Sequence, residues 1–398
     1  MTQAPEFPPL RLRRNGFHPA EDLARARDGE GVVRVRLPFG PTAYLVCRHE
    51  DVRRVLADPA AFSSALSPFP GTGEVSAEEA ARLRAGQLIG FDPPEHTRLR
   101  RMLTPEFTVR RMRRLEPRTR EIVQTSLQDL ENAGRPADLV EHFALPVPSL
   151  VICELLGVPY ADRAEFQDRS ARLLDTSLPM PERLAARQED RAYMAELVAR
   201  AETHPGDDLL GMLVREHGDD LSTDELIGIA GLLLLAGHET TSNMLALGTL
   251  ALLRHPDQLA AVRDDPALIE PAIEELLRWL TVVQMLPPRT TTTEVEIAGQ
   301  TIPAGSLVVC SLPAANRDSA LIEDPDSLDV ARGVAGHVAF GHGVHHCLGA
   351  PLARMEMRIA LPALLHRFPG LALADPDKEV DFRHFSMVYG VHSLPVTW

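Results

Sequence analysis

A mainly α-helical fold with a small β portion, in one domain over residues 1–398, is predicted by three observations. Helical periodicity broken by prolines runs from Pro94 to about His255, a long proline-free apolar segment follows a cap at Ser222, and short strand-like regions lie near Val32 and Glu294. Length alone would allow two or three domains, but no linker, repeat or low-complexity tract divides the chain. Apolar residues make up 44% and charged residues 24%, the composition of a folded globule and not of a disordered chain.

Residues 1–28 are proline-rich at their start and are expected to be irregular. Val32-Val-Arg-Val-Arg-Leu and Ala43-Tyr-Leu-Val-Cys flank a Pro-Phe-Gly-Pro turn and predict a hairpin. Ser64 to Gly90 holds the cluster Ser67-Pro-Phe-Pro-Gly-Thr-Gly and predicts a long loop with a short helix in it. Beyond Pro94, prolines 105, 146, 159, 179 and 205 mark breaks between helices. Thr223 to about His255 is the clearest helix, because Ser222 and Glu225 form a capping box at its start. At ~1.5 Å per residue it is about 48 Å long. Its middle is apolar on nearly every face, as in a helix buried through the centre of a globule. A second helix is predicted over Ile269–Leu280, strands and turns from Glu294 onward, and a last helix from Ala350 to Phe368.

The formal net charge of −15 argues against a nucleic-acid binder, since phosphate binding needs a positive surface. Basic residues are almost all Arg, Lys378 being the exception. The opening MTQAPEFPPL has no basic stretch followed by an apolar one, so no signal peptide is expected. The most apolar run, Leu226 to Gly237, falls short of the ~20 residues that span a bilayer. A soluble, cytoplasmic protein, most simply a monomer, is expected. Four cysteines (Cys47, Cys153, Cys310, Cys347) lack CxxC spacing, and in an intracellular chain of this size disulfides are not expected.

Cys347 stands apart from the other three. The segment Phe340-Gly-His-Gly-Val-His-His-Cys-Leu-Gly-Ala precedes the last helix. Its glycines let backbone and a flat ligand approach the sulfur closely. Backbone N–H groups turned to the sulfur would tune a metal thiolate, and the start of the following helix should lower the thiol pKa. On these features alone, a glycine-rich turn with an incidental cysteine is as good a reading.

Phe-x-x-Gly-x-His-x-Cys-x-Gly resembles, at each position, the haem-binding loop of the cytochrome P450 superfamily. The resemblance extends from about Val32 to Trp398 and is to soluble actinobacterial members. It implies the triangular fold of that family, with haem b between the long central helix and the cysteine loop, and Cys347 as the iron ligand. Phe340, Gly341, His345 and Gly349 would belong to the haem-binding loop. Glu275-Leu-Leu-Arg278 is similar to the family's Glu-x-x-Arg pair, one helical turn apart, with Arg332 as a candidate third partner. Asp92-Pro-Pro-Glu-His-Thr-Arg-Leu-Arg100 resembles the stretch in which His96 and Arg100 hold haem propionates, and Arg289 and His345 match two further propionate contacts. Two cationic donors on one side of a helix suit a carboxylate. Asn316-Arg-Asp-Ser319 departs from the family by a Ser where Pro is common.

Ala236-Gly-His-Glu-Thr-Thr241 lies in the middle of the central helix, where Gly and Thr are poor helix formers and a buried acid needs a task or a partner. The resemblance makes Glu239 and Thr240 the acid–alcohol pair that delivers protons during oxygen reduction, with Ala236 beside the haem and His238 neutral and turned away.

No GxGxxG opens a βα unit, so the chain cannot take hydride itself. The resemblance implies a ferredoxin and a ferredoxin reductase as electron donors. Nine arginines between Arg98 and Arg120 could steer an acidic partner. Candidate substrate contacts are Leu88, Ile89, Val283, Met285 and Met387, apolar positions that suit a bulky lipophilic natural product (macrolide or polyketide, terpenoid, peptide). The implied reaction is hydroxylation or epoxidation with O2. A peroxide-driven or oxygen-independent haem-thiolate enzyme and a non-catalytic haem protein stay open as alternatives.

Overall fold

The chain is mostly helical in the computed structural model, which describes residues 14–37, 41–66 and 76–398. In chain order the first helices are α1 (Glu21–Asp28), α2 (His49–Ala57), α3 (Ala77–Arg84), α4 (Glu95–Leu103), α5 (Val109–Asn132), α6 (Pro146–Leu156) and α7 (Arg163–Leu174). They are followed by α8 (Met180–Thr203), α9 (Leu209–His217), α10 (Thr223–Arg254), α11 (Pro256–Asp264), α12 (Ile269–Leu280), α13 (Leu312–Ala315) and α14 (Ala350–Arg367). Pro146 opens α6, and Pro179 and Pro205 bracket α8, as the missing N–H of proline dictates.

The strands are β1 (Val32–Arg36), β2 (Thr42–Val46), β3 (Phe62–Ser63), β4 (Ala137–Asp138), β5 (Arg289–Thr291), β6 (Val295–Ile297), β7 (Gln300–Ile302), β8 (Leu307–Cys310), β9 (Ala372–Leu373) and β10 (Pro395–Thr397). Five of them form a sheet in the order β1-β2-β8-β5-β3. The predicted hairpin is its edge, with Val32 opposite Val46, while β2 and β8 run parallel. Residues 38–40 of the predicted turn, residues 67–75 of the Pro/Gly cluster and residues 1–13 lie outside the described residues.

One expectation is overturned. The segment up to Asp28 is not irregular throughout, because it contains α1. Acids in its first turn and arginines in its last suit the helix dipole, and Leu23 and Ala26 are buried with Val309 and Ala314 beneath the sheet. Burial supplied by distant residues outweighs the local composition.

The central helix α10 starts as predicted. Ser222 Oγ accepts the Glu225 N–H at 3.2 Å, and Glu225 Oε2 accepts the Ser222 N–H at 2.8 Å. It is packed against α6, α8 and α14, and its second half from Thr241 to Leu252 is buried without interruption. Gly237 is explained by packing: a Cβ there would come within 2.7 Å of Ile152 on α6. The helices cross too closely at that point for any side chain.

Candidate functional site

The buried course of α10 is broken on one face. Leu232 and Thr240 are half-buried and Ala236 is exposed, one turn apart each, so they line a single open stripe. Thr240 Oγ1 donates to the Ala236 carbonyl at 2.9 Å, the back-bond that competes with the helix ladder. Glu239, the neighbouring position, is 3% exposed. Its Oε2 accepts Arg383 Nη1 at 2.9 Å, and its carbonyl accepts Asn243 Nδ2 at 2.7 Å. Arg383 lies in the C-terminal segment, which is itself fitted to α10: a Cβ on Gly390 would overlap Asn243 Oδ1. His238 is fully buried, with Nδ1 2.7 Å from the Leu234 carbonyl and its ring edge-on to Phe166. Burial depresses its pKa, so it stays neutral.

Cys347 is exposed, whereas Cys47, Cys153 and Cys310 are buried and free, with thiols pushed by burial up to about 12. Its own N–H donates to the Phe340 carbonyl at 2.9 Å. Gly341 and Gly343 take φ values of +71° and +70°, which a side chain would strain. Gly343 also rests on the end of α2, where a Cβ would meet the Leu56 carbonyl at 2.4 Å. The N–H groups of Gly349 and Ala350, at the start of α14, point at the Cys347 sulfur. The start of α14 lowers the thiol pKa as expected, but the net shift is upward. Protein packed around the accessible sulfur desolvates its charged form, and the two N–H groups with the Arg100 and Arg354 charges only partly offset that.

His96 and Arg100 on α4, Arg289 on β5 and His345 in the cysteine loop converge. The His96 and His345 rings lie 4.3 Å apart, and both His96 nitrogens and His345 Nε2 are buried without a hydrogen-bond partner among the described residues. Burial lowers both imidazoles, and the Arg100 and Arg289 charges lower them further, His345 to about 3. Arg289 is 7% exposed and donates to Ser64 Oγ. The Asp92 carboxylate fixes that loop by accepting Ser63 Oγ at 2.5 Å and the Ser64 N–H at 2.8 Å. The Asp92 charge reaches His96 and Arg289, but its oxygens are taken by Ser63 and Ser64, so the donors left on these basic side chains make a site for carboxylates.

Two adjacent acids on α12 hold two different structures. Glu275 and Arg278, both fully buried, form a fork with two 2.8 Å bonds, and Arg278 also donates to the carbonyls of Asn316, Pro325 and Ser327. Arg332 joins loosely, at 3.8 Å from Glu275. Glu274 instead accepts Arg354 Nε and Nη2 at 2.6 and 2.7 Å and meets His337 Nε2 at 3.0 Å. Burial alone would raise the Glu274 carboxyl, but these two partners hold it down at about 2. Glu274, Arg354, His337 and Arg383 are the contributors that sequence reasoning missed. The position of Arg354 early in the helix that follows Cys347 was the available signal.

The arginine-rich stretch is narrower than its composition suggests. Arg98, Arg111, Arg118 and Arg120 are spent on ion pairs with nearby acids, and Arg100 turns inward to the histidines and Cys347. Arg101, Arg110, Arg113 and Arg114 are exposed and make no ion pair with a described residue. A cleft of about 740 Å³ lined by His96, Arg100, Arg101, Arg110 and Val344 opens beside them.

Among the expected substrate contacts, Leu88 and Met285 are packed into the interior, Met285 with Val35 and Leu45 beneath the sheet. Val283 is half-buried and bridges to Val388, Met387 is packed partly against the cluster beneath the sheet, and Ile89 is 39% exposed. No helix of the described residues is long and apolar enough to cross a membrane.

A family model described as Cytochrome P450 matches residues 198–388. The relative named Cytochrome P450 FAS1, from Rhodococcoides fascians, is 58% identical over 393 residues, covering 98% of each chain. A solved complex of the X-domain and OxyB from teicoplanin biosynthesis matches at 46% identity with a TM-score of 0.86, over 98% of this chain and 100% of that one. CYP105P1 in complex with filipin I matches at 40% identity and a TM-score of 0.92, over 99% of both chains.

Proposed function

Because this chain belongs to the cytochrome P450 family and is a haem-thiolate monooxygenase of that family, we propose that Cys347 ligates the haem iron, with Glu239 and Thr240 as the proton-delivering pair. The observation that carries the reading is His96, with both ring nitrogens buried and partnerless among the described residues, against His345, whose Nε2 is likewise unpaired, beside an exposed Cys347. A flat dianionic macrocycle fits that donor set. His96, Arg100, Arg289 and His345 would take its propionates, Cys347 would supply the sulfur, and Phe340, Gly341 and Gly349 would leave room for the ring against the loop. The stripe of Leu232, Ala236 and Thr240 would form the opposite wall.

Once bound, haem supplies dioxygen activation, with the electron-rich thiolate assisting O–O cleavage. The protein's part is proton supply and water control. Thr240 Oγ1 donates its hydrogen to the Ala236 carbonyl, and only release of that bond would turn the hydrogen into the open slot. Glu239, buried and one residue away, would refill that proton from solvent through the Arg383 side. A separate acidic ferredoxin with its reductase would bring the electrons, docking on the unpaired Arg101, Arg110, Arg113 and Arg114. The substrate would be a bulky lipophilic natural product, oxidised by hydroxylation or epoxidation in secondary metabolism, with Val283, Ile89 and Met387 as contacts. Support for that class comes from relatives tied to teicoplanin biosynthesis and filipin I.

The test is the carbon-monoxide difference spectrum of the reduced protein. The long-wavelength band of a thiolate-ligated haem is expected, and Cys347→Ser should abolish it. Retention of that band by Cys347→Ser would reject the ligand assignment. Product formation that needs ferredoxin, reductase and O2 and that hydrogen peroxide does not replace would separate the monooxygenase reading from a peroxide-driven one.

A further inference from the structure

We infer that the cation of Arg354, clamped by Glu274, sets the electron density on the cysteine sulfur and with it the haem reduction potential. This inference rests on Cys347 as the ligand. Arg354 stands early on α14, in the helix that follows Cys347, and its guanidinium lies 4.6 Å from the Phe340 ring centre. Phe340 is the residue whose carbonyl takes the Cys347 N–H at 2.9 Å. Arg354 therefore touches the ligand loop at the residue that anchors the Cys347 N–H, and its charge, after the larger effect of Arg100, reaches the sulfur.

Its place is fixed from the other side by the two-bond fork to Glu274, which His337, itself buried, grips in turn. The pair is about one-third exposed, so solvent only partly screens it. Reduction adds an electron to the haem-thiolate unit. A cation near the sulfur favours that state and an anion opposes it. The two members of the clamp must then act with opposite sign, which a scaffold holding the loop in shape would not do.

The experiment is a spectroelectrochemical titration of the haem-loaded protein and of three variants. Arg354→Gln should shift the midpoint potential to more negative values, Glu274→Gln to more positive values, and Arg354→Lys should restore part of the Arg354→Gln loss. Shifts of the same sign in Arg354→Gln and Glu274→Gln, or no shift in either while the thiolate-type carbon-monoxide band persists, would overturn the inference. If Arg354→Gln fails to load haem, Glu274→Gln decides, and only a positive shift supports the proposal. Lack of the thiolate band in the unaltered protein would instead overturn Cys347 as ligand.

Discussion

Arg383 Nη1 donates to Glu239 Oε2 at 2.9 Å, joining the C-terminal segment to the middle of α10 across 144 positions of sequence. Both groups are largely buried, so the bond holds the acid one residue from Thr240 in a defined place. A buried carboxylate with a single strong partner is stable while paired and reactive when that partner lets go.

Glu239→Gln should lower the product formed per electron pair consumed by about 100-fold, the lower end of what a positioned proton donor contributes. The substrate-induced shift of the haem spectrum should be unchanged. Arg383→Gln should lower the same ratio by less, since the acid is kept and only its partner is lost. An unchanged ratio in Glu239→Gln would remove it from proton delivery.

His96→Ala should weaken haem binding by roughly 10- to 100-fold, because a hydrogen bond to a charged group is worth about 1.5–3 kcal/mol. Titration of haemin into the apoprotein measures this. Equal affinity in the variant would mean that the propionates do not reach α4.

Arg278→Ala should cost about 3–5 kcal/mol, because it leaves the Glu275 carboxylate buried without its fork. The denaturant midpoint of the holoprotein, or its loss as soluble protein, reports the effect. A midpoint within error of the unaltered protein would contradict the burial described above.

Acid should probe Glu274. Its carboxyl is held at about 2 against an ordinary 4.5, so the unfolded chain takes up this proton first as pH falls. Its contribution is complete above 4.5 and is lost as pH falls from 4.5 toward 2. Glu274→Gln should flatten the stability profile in that window, as followed by thermal midpoint against pH. Parallel profiles would refute the pairing.

Arg113→Glu should raise the KM for an acidic ferredoxin several-fold at low salt and reduce the salt dependence of turnover. Arg120→Glu, at a position already occupied with Glu116, should have a smaller effect. Equal effects would place docking elsewhere.

Local signals in the sequence were reliable where one element carries the whole message. The capping box at Ser222 and Glu225, the bounds of α10 and α12, and the four-residue spacing of His96 and Arg100 all appear as read. What escaped notice depends on residues far apart in the chain. Arg383 finds Glu239, Arg354 finds Glu274 80 positions away, and α1 is stabilised by apolar partners near residue 310. The Cys347 thiol shows the same limit: the helix start that lowers its pKa was visible, but the desolvation by surrounding protein that outweighs it was not. The arginines between 98 and 120 could be counted, whereas which acids neutralise them is a property of the folded surface.

The neighbouring acids of α12 carry an implication for how the chain can change. Glu274 holds Arg354 on α14 and His337 just before the ligand loop, and Glu275 holds Arg278 and the irregular segment near Asp329, through faces about 100° apart on one helix. Deleting or inserting a single residue ahead of them would rotate both faces together, aiming each acid at the wrong neighbour. A change of length confined to the segment before α12 leaves that phase intact, whereas one inside the helix does not. Engineers moving segments between relatives should place their junctions accordingly.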